Sequence, residues 1–529
     1  MAVLTAEQRA LGRQNADVAL GVTRRDFLKA AAVAPVLGAF YFGYSGIDKP
    51  VKAAIIGTGN EGCNAMIDEH NRAFIDYIGY CDARPTQQAR AVRQFTAHKD
   101  YGEAAAKALK KYDTVDEVLA DKEVELVIIA LPLWLHAEVA IKAMKAGKHV
   151  FCEKLMAHSV GECKAMVRSA HKENKLLAIG HQRHYSALYD NANYLVQNGH
   201  LGEIRHIRAL WHRNQGTPIW AKDDKGKFTY DDKGDPIYVK DDAGNIVYHD
   251  SWKPAIPAED QNVDFKKYGY KSVDELVRWR LYDRTGAGLM GELGSHQLDA
   301  CSIFLGKRHP LCVTGIGGSY YYTDGREVDD HVFVAFEFPG KNGPQGKDHV
   351  VVTYSSINTN EYDPYGETVM GTRGTMLVEK EKDLLFYPEY DRNAGTKAGA
   401  PRETSITVGT PKGKPIIEAS PSVSGGPSAA SSLANLYGAT DTPSRGYREE
   451  LEHFAYCIRN GNASNFHEPA DEKLRPRCRG EVALADAVIA LTSNLAMRQK
   501  RRIEFEEAWF DPMNDAVPDK STSDLAMGS

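Results

Sequence analysis

Short apolar segments alternate with amphipathic ones in the first third of the chain. Five segments of four to six mostly apolar residues are typical of strands buried on both faces; they lie at 53–56, 77–81, 125–130, 148–152 and 176–179. Between them, residues 115–119, 136–146 and 160–172 place apolar side chains at helical spacing. Gly147 and Ser159 stand where one helix ends and the next begins. Strands that alternate with helices predict a doubly wound parallel sheet over residues 51–180.

The pattern changes after residue 202. Residues 204–211, 313–322, 331–338 and 349–354 are rich in β-branched and aromatic side chains, and several of these runs alternate apolar with polar positions. Such alternation predicts strands with one buried and one polar face. Helices are predicted at 447–460 and 479–498 and a last strand at 501–505, which gives a second α/β domain over 181–510. The tail, 511–529, is expected to be disordered.

An insertion at 214–275 interrupts this second domain. Turns containing aspartate and glycine, at 223–226, 231–234 and 241–244, separate short runs of aromatic and β-branched residues. The pattern predicts a small β-meander. Its paired carboxylates do not have the spacing of an EF-hand calcium loop. The insertion is therefore interpreted as structural, placed to wall a pocket or to cover a subunit edge.

A glycine-rich turn follows the first predicted strand and reads Gly57-Thr58-Gly59-Asn60-Glu61-Gly62. The first glycine of such a turn permits the tight bend, the second lets a pyrophosphate approach the backbone, and the third lets helix and strand pack closely. Asp82 ends the next predicted strand, 20 residues after Gly62, where a carboxylate accepts a hydrogen bond from a ribose 2′-hydroxyl. Together these features predict a nicotinamide dinucleotide site.

The same carboxylate bears on which dinucleotide is bound. Asp82 would repel a 2′-phosphate at close range, which favours NAD over NADP. Arg84 is the objection, because an arginine at this place can accommodate that phosphate.

Further residues are expected around the same crevice, because ligands of parallel sheets bind at the carboxyl ends of the strands. Leu131-Pro132 follows the predicted strand at 125–130, and His136 begins the next helix. Glu153-Lys154 stands at the end of the strand at 148–152. These residues join the glycine turn and Asp82 as predicted cofactor-binding residues.

The N-terminus has the pattern of an export signal. Residues 23–29 read Thr-Arg-Arg-Asp-Phe-Leu-Lys and precede an apolar run from 30 to 44. Paired arginines before such a run are typical of twin-arginine signals, and the run is short for a membrane span. Residues 1–50 are predicted to be a leader for the twin-arginine export machinery, and the protein to be periplasmic or otherwise extracytoplasmic. No clean small-x-small cleavage site appears before the first strand at Val51, so membrane attachment through an uncleaved leader stays open.

Composition narrows the classes of partner. The chain of 529 residues is long enough for two or three domains. Its net charge of −6 gives no reason to expect nucleic acid as a partner. The eight cysteines are scattered, without a CxxC pair or zinc-site spacing, so neither disulfides nor a metal site is predicted.

Six motifs occur in one order along the chain. They are GTGNEG with Asp82, Leu131-Pro132-Leu-Trp-Leu-His136, Glu153-Lys154, Gly180-His-Gln-Arg183, Gly199-His-Leu-Gly202-Glu-Ile204 and Gly291-Glu-Leu-Gly-Ser-His296-Gln-Leu-Asp299. In this order they resemble the glucose–fructose oxidoreductase and inositol dehydrogenase family, often written Gfo/Idh/MocA. The resemblance covers about residues 51–210 and 280–380 and the C-terminal helical pair.

The resemblance implies a fold and an assembly. The expected fold is an N-terminal Rossmann domain with a doubly wound parallel sheet, joined to a C-terminal α/β domain with a large, mostly antiparallel sheet. In the family the outer face of that sheet often pairs with another subunit, so a homo-oligomer, dimer or tetramer, is expected.

Catalytic roles follow from the chemistry that the family performs on sugars. Oxidation of a hydroxyl needs a base for the O–H proton as hydride leaves carbon, and His296 can serve near neutral pH. Glu292, one helical turn earlier, is expected to orient or polarise His296. Lys154 is expected to hydrogen-bond the reacting oxygen. Asp299 is expected either to bind substrate or to cap the following helix.

Other positions extend or depart from the family pattern. Arg183 and Tyr185 are predicted to contribute to the substrate pocket; further candidates are His184, His212, Arg213 and Trp220. Leu155 stands where the family usually has a proline, in a turn that is often a cis peptide. Glu292 stands where the family often has an aspartate.

Three functions remain open at this point. The expected one is an NAD-dependent oxidoreductase acting on a sugar hydroxyl. An NAD-dependent glycosidase without net redox change, working by oxidation, elimination, hydration and reduction, would use the same residues. A non-catalytic sugar-binding protein is the third possibility, although Lys154 and His296 argue against it. Because export removes the protein from the cytoplasmic NAD pool, NAD is expected to be bound tightly and recycled within the site.

Overall fold

The protein is described by a computed structural model that covers residues 4–20, 44–240, 244, 246–363, 365–389, 406–409, 416–419, 445–469 and 471–520. The paired arginines at positions 24 and 25 lie outside these residues. Two sheets organise the described chain, one entirely parallel and one mostly antiparallel.

Six parallel strands form the first sheet. They are β1 (Val51–Ile56), β2 (Ile75–Cys81), β3 (Lys110–Tyr112), β4 (Leu126–Ile129), β5 (His149–Glu153) and β6 (Leu177–Gly180). Their order is β3-β2-β1-β4-β5-β6, and β4 and β5 are fully buried because helices cover both faces. The chain reverses direction across the sheet between β1 and β4, which is where such sheets bind ligands. The predicted doubly wound parallel sheet is confirmed.

Twelve α-helices occur in the described residues. They are α1 (Ala6–Ala19), α2 (Pro85–Ala97), α3 (Gly102–Ala108), α4 (Val115–Ala120), α5 (His136–Lys145), α6 (Val160–Glu173), α7 (Ala187–Gln197), α8 (Val273–Val277), α9 (Ser295–Phe304), α10 (Tyr447–Asn460), α11 (Gly480–Gln499) and α12 (Glu507–Phe510). Ser159 caps α6 as predicted: its hydroxyl accepts from the backbone of Glu162, whose carboxylate reaches back to the Ser159 N–H. Two short π-helical turns, Gly62–Ile67 and Met290–Gly294, precede α2 and α9.

The second sheet has eight strands. They are β7 (Ile204–His212), β8 (Cys312–Gly318), β9 (His331–Pro339), β10 (His349–Ile357), β11 (Tyr365–Gly371), β12 (Gly374–Glu379), β13 (Asp383–Pro388) and β16 (Ile503–Glu504); a separate hairpin consists of β14 (Ile406–Gly409) and β15 (Ile416–Ala419). The order is β13-β12-β11-β7-β10-β9-β8-β16. Only the β7–β10 pair is parallel among these described strands, so the expected mostly antiparallel sheet is confirmed.

The two faces of this sheet differ. One face, which includes Val334, Phe336 and Val352, is buried and packs with α9 and α11. The other leaves large apolar side chains exposed, among them Ile316, Phe333 and Val351. Helix α11 is long and apolar enough to cross a membrane by length and composition, but about two thirds of it (67%) is buried inside the protein. It therefore serves as the core helix of this domain.

The insertion forms the predicted meander. Antiparallel bridges join residues along it, including Trp220 with Tyr238 and Lys222 with Phe228. Gly226 takes a positive φ of +78° at the first turn, a conformation that favours glycine. The Asp223 carboxylate there accepts two backbone N–H groups at 2.9 Å, from Lys225 and Lys227. The side chain is thus occupied by the turn itself, as a structural interpretation requires.

One terminal prediction stays untested and the other needs correction. Helix α1 lies within the segment predicted as a leader and packs against β13, where Asn15 donates to the carbonyl of Phe386 at 3.1 Å. The twin-arginine motif lies outside the described residues, so the leader stays a prediction. The tail was predicted to be disordered from Asp511, but residues 511–520 are ordered because the buried Lys164 ammonium donates to three carbonyls of the C-terminal segment. A buried lysine without those acceptors would be costly, so it fixes the segment in place.

Candidate active site

The glycine turn has the geometry predicted for each of its glycines. Gly57 takes a φ of +93°, and a Cβ there would lie 2.3 Å from the carbonyl oxygen of Ala130 on the loop after β4. A Cβ on Gly62 would lie 2.1 Å from the Gly57 oxygen, so this glycine permits close packing of the turn on the strand. Among the described residues, no atom outside the immediate chain neighbours lies within 4 Å of a Cβ placed on Gly59. The middle glycine therefore opens onto the cleft, where a pyrophosphate can approach the backbone.

Asp82 is held at the end of β2 by its neighbours. One carboxylate oxygen accepts from the backbone N–H and the hydroxyl of Thr58, at 2.7 and 3.2 Å, and the other accepts from the N–H of Arg84 at 2.9 Å. Burial raises the pKa of Asp82 above its usual value, and these hydrogen bonds oppose the shift. The second oxygen retains acceptor capacity for a ribose hydroxyl. Thr58 itself is buried and positions Asp82 instead of lining the cleft.

One cleft of about 870 Å³ connects these features with the second domain. Asn60 and Glu61 line it beside the glycine turn. Asp82 lies past β2 and Lys154 past β5, three strand spacings apart, or roughly 14 Å. The cleft therefore presents a dinucleotide-binding turn in its middle and polar side chains at each end.

The loop after β4 forms one wall of the cleft. Leu131, Pro132 and His136 all line it. The His136 ring is buried between two carbonyl oxygens, those of Leu155 at 3.0 Å and Leu131 at 2.8 Å. Burial lowers the pKa of His136 below its usual value, which favours a neutral ring that donates to one of the two. His136 thus ties the β4 loop to the turn that follows β5.

That turn carries Glu153 and Lys154. The Lys154–Leu155 peptide bond is cis, so the turn keeps the family's geometry without its proline. The Lys154 ammonium donates to the backbone oxygen of Glu292 at 2.9 Å, which links the two domains at the cleft. Burial and the neighbouring Glu61 raise the pKa of Glu153 well above its usual value, which favours the neutral acid.

His296 reaches the same end of the cleft from the first turn of α9. Its ring is 8% exposed, lines the cleft and lies 5.5 Å from the ring of Trp211 on β7. Burial, with the nearby positive charges of Lys154 and Arg183, lowers the pKa of His296 well below its usual value. The ring is therefore neutral at pH 7 and can accept a proton.

Glu292 does not take the role predicted for it. Its carboxylate accepts from the Arg280 guanidinium at 2.7 Å, and the hydrogen bonds of the described residues include none between this carboxylate and the His296 ring. Burial would raise the pKa of Glu292, but Arg280 and Lys154 lower it below the usual value. The prediction assumed one α-helical turn between Glu292 and His296, whereas Met290–Gly294 is π-helical and shifts the phase of the side chains.

Of the residues predicted to bind substrate, His296 lines the cleft, whereas Arg183, Tyr185 and Asp299 lie behind its wall. Arg183 is fully buried, pairs with Glu367 and Glu381, and donates to the backbone oxygen of His296 at 2.6 Å. The Tyr185 hydroxyl lies 2.6 Å from His453. Neither residue lines the cleft.

Asp299 is the third of these residues. It is buried, takes a hydrogen bond from Lys307 at 2.9 Å and lies 2.8 Å from the His184 ring. Burial would raise the pKa of Asp299, but His184 and Lys307 lower it well below the usual value. With His181 and Asp486 it forms a buried group of potential metal ligands, in which Lys307 already supplies a positive charge. The carboxylate is thus occupied within the fold and does not face the cleft.

Several further side chains line the cleft that the sequence analysis does not predict or names only as further candidates. They are Trp211, Arg213, Trp252, Trp279, Arg280 and Tyr447. Trp211 and Arg213 stand at the end of a strand that was predicted, and their alternation along it places both on the cleft side. Trp279 and Arg280 lie between the insertion and the Met290–Gly294 turn, where no periodic pattern marked them.

This arrangement defines a class of protein. A glycine turn with a following carboxylate fits a dinucleotide, and a neutral histidine and a lysine lie at the other end of the same cleft. These are the parts of a dinucleotide-dependent oxidoreductase.

Comparison with known proteins places the chain within that class. Residues 51–181 match the Gfo/Idh/MocA oxidoreductase family's NAD-binding Rossmann fold, and residues 262–468 match the family's C-terminal α/β domain. The chain belongs to the Gfo/Idh/MocA family of oxidoreductases, and its first domain is an NAD-binding Rossmann domain.

Individual relatives are distant. Inositol 2-dehydrogenase of Salmonella typhimurium is 28% identical over 32% of this chain and 47% of its own length. The 2,7-anhydro-N-acetylneuraminate hydratase of Escherichia coli is 26% identical over 53% of this chain and 59% of its own length. The match thus spans about half the length of these relatives. Aldose-aldose oxidoreductase from Caulobacter crescentus shares the fold, with a TM-score of 0.52, 18% identity and coverage of 86% of this chain and 100% of its own.

Proposed function

We propose that the protein oxidises and reduces a hydroxyl-bearing carbon of a sugar or sugar derivative with an NAD that stays bound between the two half-reactions. The observation that carries this proposal is the placement of Lys154 and His296 in the same cleft as the dinucleotide turn. When bound, NAD supplies the acceptor for a hydride from the carbinol carbon.

The side chains at the catalytic end suit this chemistry. A neutral His296 takes the hydroxyl proton, and its lowered pKa keeps it ready for this task over a broad pH range. Lys154 donates to the oxygen on which negative charge develops. The Trp211 and Trp279 rings, both in the cleft, offer apolar faces for the C–H surface of a sugar ring. Arg213 and Arg280 supply hydrogen-bond donors for its remaining hydroxyls.

Retention of NAD follows from the proposed location. Export by the twin-arginine route carries a folded protein, so the cofactor is loaded before the protein leaves the cytoplasm. Since no NAD pool is maintained outside, the hydride is returned within the site, to a second sugar or to the substrate itself. The name of the Caulobacter relative, an aldose-aldose oxidoreductase, is consistent with such a transfer between two sugars.

A second candidate is a glycosidase or lyase without net redox change. One relative is named a hydratase, an enzyme that adds water to its substrate without an overall transfer of electrons. Transient oxidation next to the departing group, followed by elimination, hydration and reduction, would use the same lysine and histidine.

One experiment separates these functions. The purified protein is denatured and the supernatant assayed for NAD; the native protein is then incubated with a panel of free sugars and aryl glycosides. Oxidised and reduced sugars in equal amounts support the proposal, and free aryl alcohol without sugar oxidation supports the second candidate. Lys154→Met should lower either activity by about 10²–10³-fold, and Lys107→Met, which changes an exposed lysine paired with Glu103, should leave it unchanged. No turnover of any substrate would leave only a sugar-binding role.

Location and assembly complete the proposal. We infer an extracytoplasmic location, with the leader and any membrane attachment tested by fractionation of cells that carry the wild type or an Arg24→Lys, Arg25→Lys variant. We also infer a dimer or tetramer formed through the exposed sheet face. Sedimentation of the wild type and of Phe333→Asp tests this, because Phe333 is 48% exposed in the middle of that face.

A further inference from the structure

A segment of the insertion crosses from the second domain to the outer rim of the cofactor cleft. This strap consists of residues 257–270 and contains two 3-10 turns, Ala258–Asp260 and Phe265–Tyr268. Tyr268 and Gly269 line the cleft on the side of Asp82. The end of the cleft at Asp82, where the adenosine ribose of a dinucleotide would bind, is called the adenosine end. The strap adds a wall from the second domain at this end, away from Lys154 and His296.

Asp260 fastens one end of the strap to the Rossmann domain. Its carboxylate is fully buried and accepts from Nε and Nη2 of Arg84, both at 2.9 Å. It also accepts from the N–H and hydroxyl of Thr86, at 3.1 and 2.6 Å. Four donors on one buried carboxylate make a specific and strong attachment, since hydrogen bonds to charged groups are the stronger ones.

The other end of the strap packs on the loop after β4. A Cβ on Gly269 would lie 2.8 Å from the Trp134 ring, and Tyr270 meets that ring edge-on at 5.3 Å between centroids. Arg284 lies over Trp134 at 4.5 Å from the ring centroid. The strap is therefore attached on both sides of the adenosine end of the cleft.

Because Asp260 binds Arg84, the attachment of the strap bears on whether NAD or NADP is bound. Arg84 stands two residues after Asp82, where an arginine can bind the 2′-phosphate that distinguishes NADP from NAD. In this protein two of its donor nitrogens are directed to Asp260, and its side chain is 17% exposed. A 2′-phosphate at this place would meet the carboxylate of Asp82 and an arginine whose charge is already neutralised.

We propose that Asp260 determines the selectivity for NAD over NADP and the slow release of NAD, by engaging Arg84 and fastening the strap across the cleft. The role in slow release rests on the retention of NAD proposed above, whereas the role in selectivity does not. Neither effect requires contact between Asp260 and the cofactor.

Equilibrium binding tests the selectivity. Nucleotide-free wild type, Asp260→Asn and Glu259→Gln are titrated with NAD and NADP by calorimetry. Glu259 is the exposed neighbour of Asp260, so its variant makes the same change of charge without touching Arg84. The ratio of NADP to NAD dissociation constants should fall at least tenfold in Asp260→Asn, the equivalent of about 1.4 kcal/mol, and stay unchanged in Glu259→Gln. An unchanged ratio in a folded Asp260→Asn overturns the proposal.

A second substitution shows whether Arg84 is the group released. Arg84→Met should leave NADP binding by the wild type nearly unchanged but should remove the NADP affinity gained in Asp260→Asn. Equal effects in both backgrounds would overturn the proposed mechanism.

Release rates test the strap separately. Thr86→Val removes one donor to Asp260 without a change of charge, so it remains informative if Asp260→Asn does not fold. NAD release, followed by displacement of bound NADH fluorescence, should be faster in Thr86→Val and Asp260→Asn than in the wild type. Unchanged rates would overturn the role in retention. If the wild type itself releases NAD rapidly, the proposed retention fails, whereas the selectivity ratio still decides the role of Asp260.

Discussion

Arg183 provides a test of whether the site has been assigned correctly, because the sequence predicts a substrate ligand and the structure shows a buried brace. Its guanidinium donates to Glu381 at 2.8 and 3.0 Å, to Glu367 at 2.8 Å and to the His296 carbonyl at 2.6 Å. Arg183→Met retains much of the apolar stem but removes the charge and these donors. The expected result is a loss of stability, without a specific loss of sugar affinity.

The size of the effect follows from what the substitution leaves behind. Removing one partner of a buried ion pair costs about 3–5 kcal/mol. Glu367 keeps donors from Tyr189 and Gln297, and Glu381 keeps Arg445. These remaining partners place the expected loss in the free energy of unfolding near the lower end, about 3 kcal/mol at pH 8.

The loss should also depend on pH. Burial raises the pKa of Glu367 from 4.5 to about 7, so the folded protein binds this proton more tightly than the unfolded chain. Its contribution to stability is therefore greatest below pH 4.5 and falls as the pH rises through 7. Without Arg183 the pKa rises further, because the positive charge that lowered it is gone. At pH 5.5 the Glu367 carboxyl is then largely neutral, and the destabilisation should be smaller than at pH 8.

Denaturant unfolding of wild type, Arg183→Met and Arg498→Met at pH 8 and pH 5.5 measures both effects. Arg498 pairs with Asp283 on the surface, where both side chains are about half exposed, so its loss should cost less than about 1 kcal/mol. If Arg183→Met unfolds like the control at both pH values while the KM for sugar rises, Arg183 is a substrate ligand and the present assignment is wrong.

Three further predictions concern the cleft. His296→Gln should lower kcat by about 10²–10⁴-fold with NAD affinity unchanged. The acid limb of the wild-type kcat/KM profile should lie below pH 6.5, because the pKa of His296 is lowered. An acid limb above pH 6.5 would contradict the assignment of His296 as the base. Lys154→Met should lower kcat by about 10²–10³-fold, the effect of losing one donor to a developing oxyanion, with bound NAD measured after denaturation at the wild-type level. Gly59→Ala should weaken NAD binding without lowering Tm, since a Cβ there has open space around it in the described part of the chain. Gly62→Ala should lower Tm, because its Cβ would lie 2.1 Å from the Gly57 oxygen. The reverse pattern would show that the roles of the two glycines are exchanged.

The sequence predicted elements well where a local pattern decides them. The five apolar runs all became strands of the first sheet, and the helix predicted at 447–460 has those bounds in the structure. Asp82 was placed correctly because its distance from the glycine turn is set by one helix and one strand. These features depend on periodicity and on short-range geometry, which a single sequence contains.

Residues whose role depends on distant partners were predicted less well. Arg183 and Tyr185 follow a predicted strand and were expected in the pocket for that reason, yet their partners Glu367 and His453 come from β11 and α10. Glu292 was given an α-helical phase relative to His296, and the π-helical turn between them has no signal that was recognised in the sequence. The periodicity of apolar residues does not predict which side chains pair across long sequence separations. It also does not predict a π-helical turn that shifts the helical phase by one residue.

Two of the contacts between the domains, at opposite ends of the cleft, have different consequences when they are removed. The Lys154 ammonium donates to the Glu292 carbonyl, so a substitution of Lys154 removes both a link between domains and the donor proposed to act on substrate. The Asp260 carboxylate holds Arg84 and Thr86 at the adenosine end, with no part in the proposed chemistry. Changes at Asp260 can therefore alter cofactor exchange while Lys154 and His296 remain in place. A variant that releases NAD rapidly yet turns over normally when NAD is supplied would show that retention belongs to the strap and chemistry to the other end of the cleft.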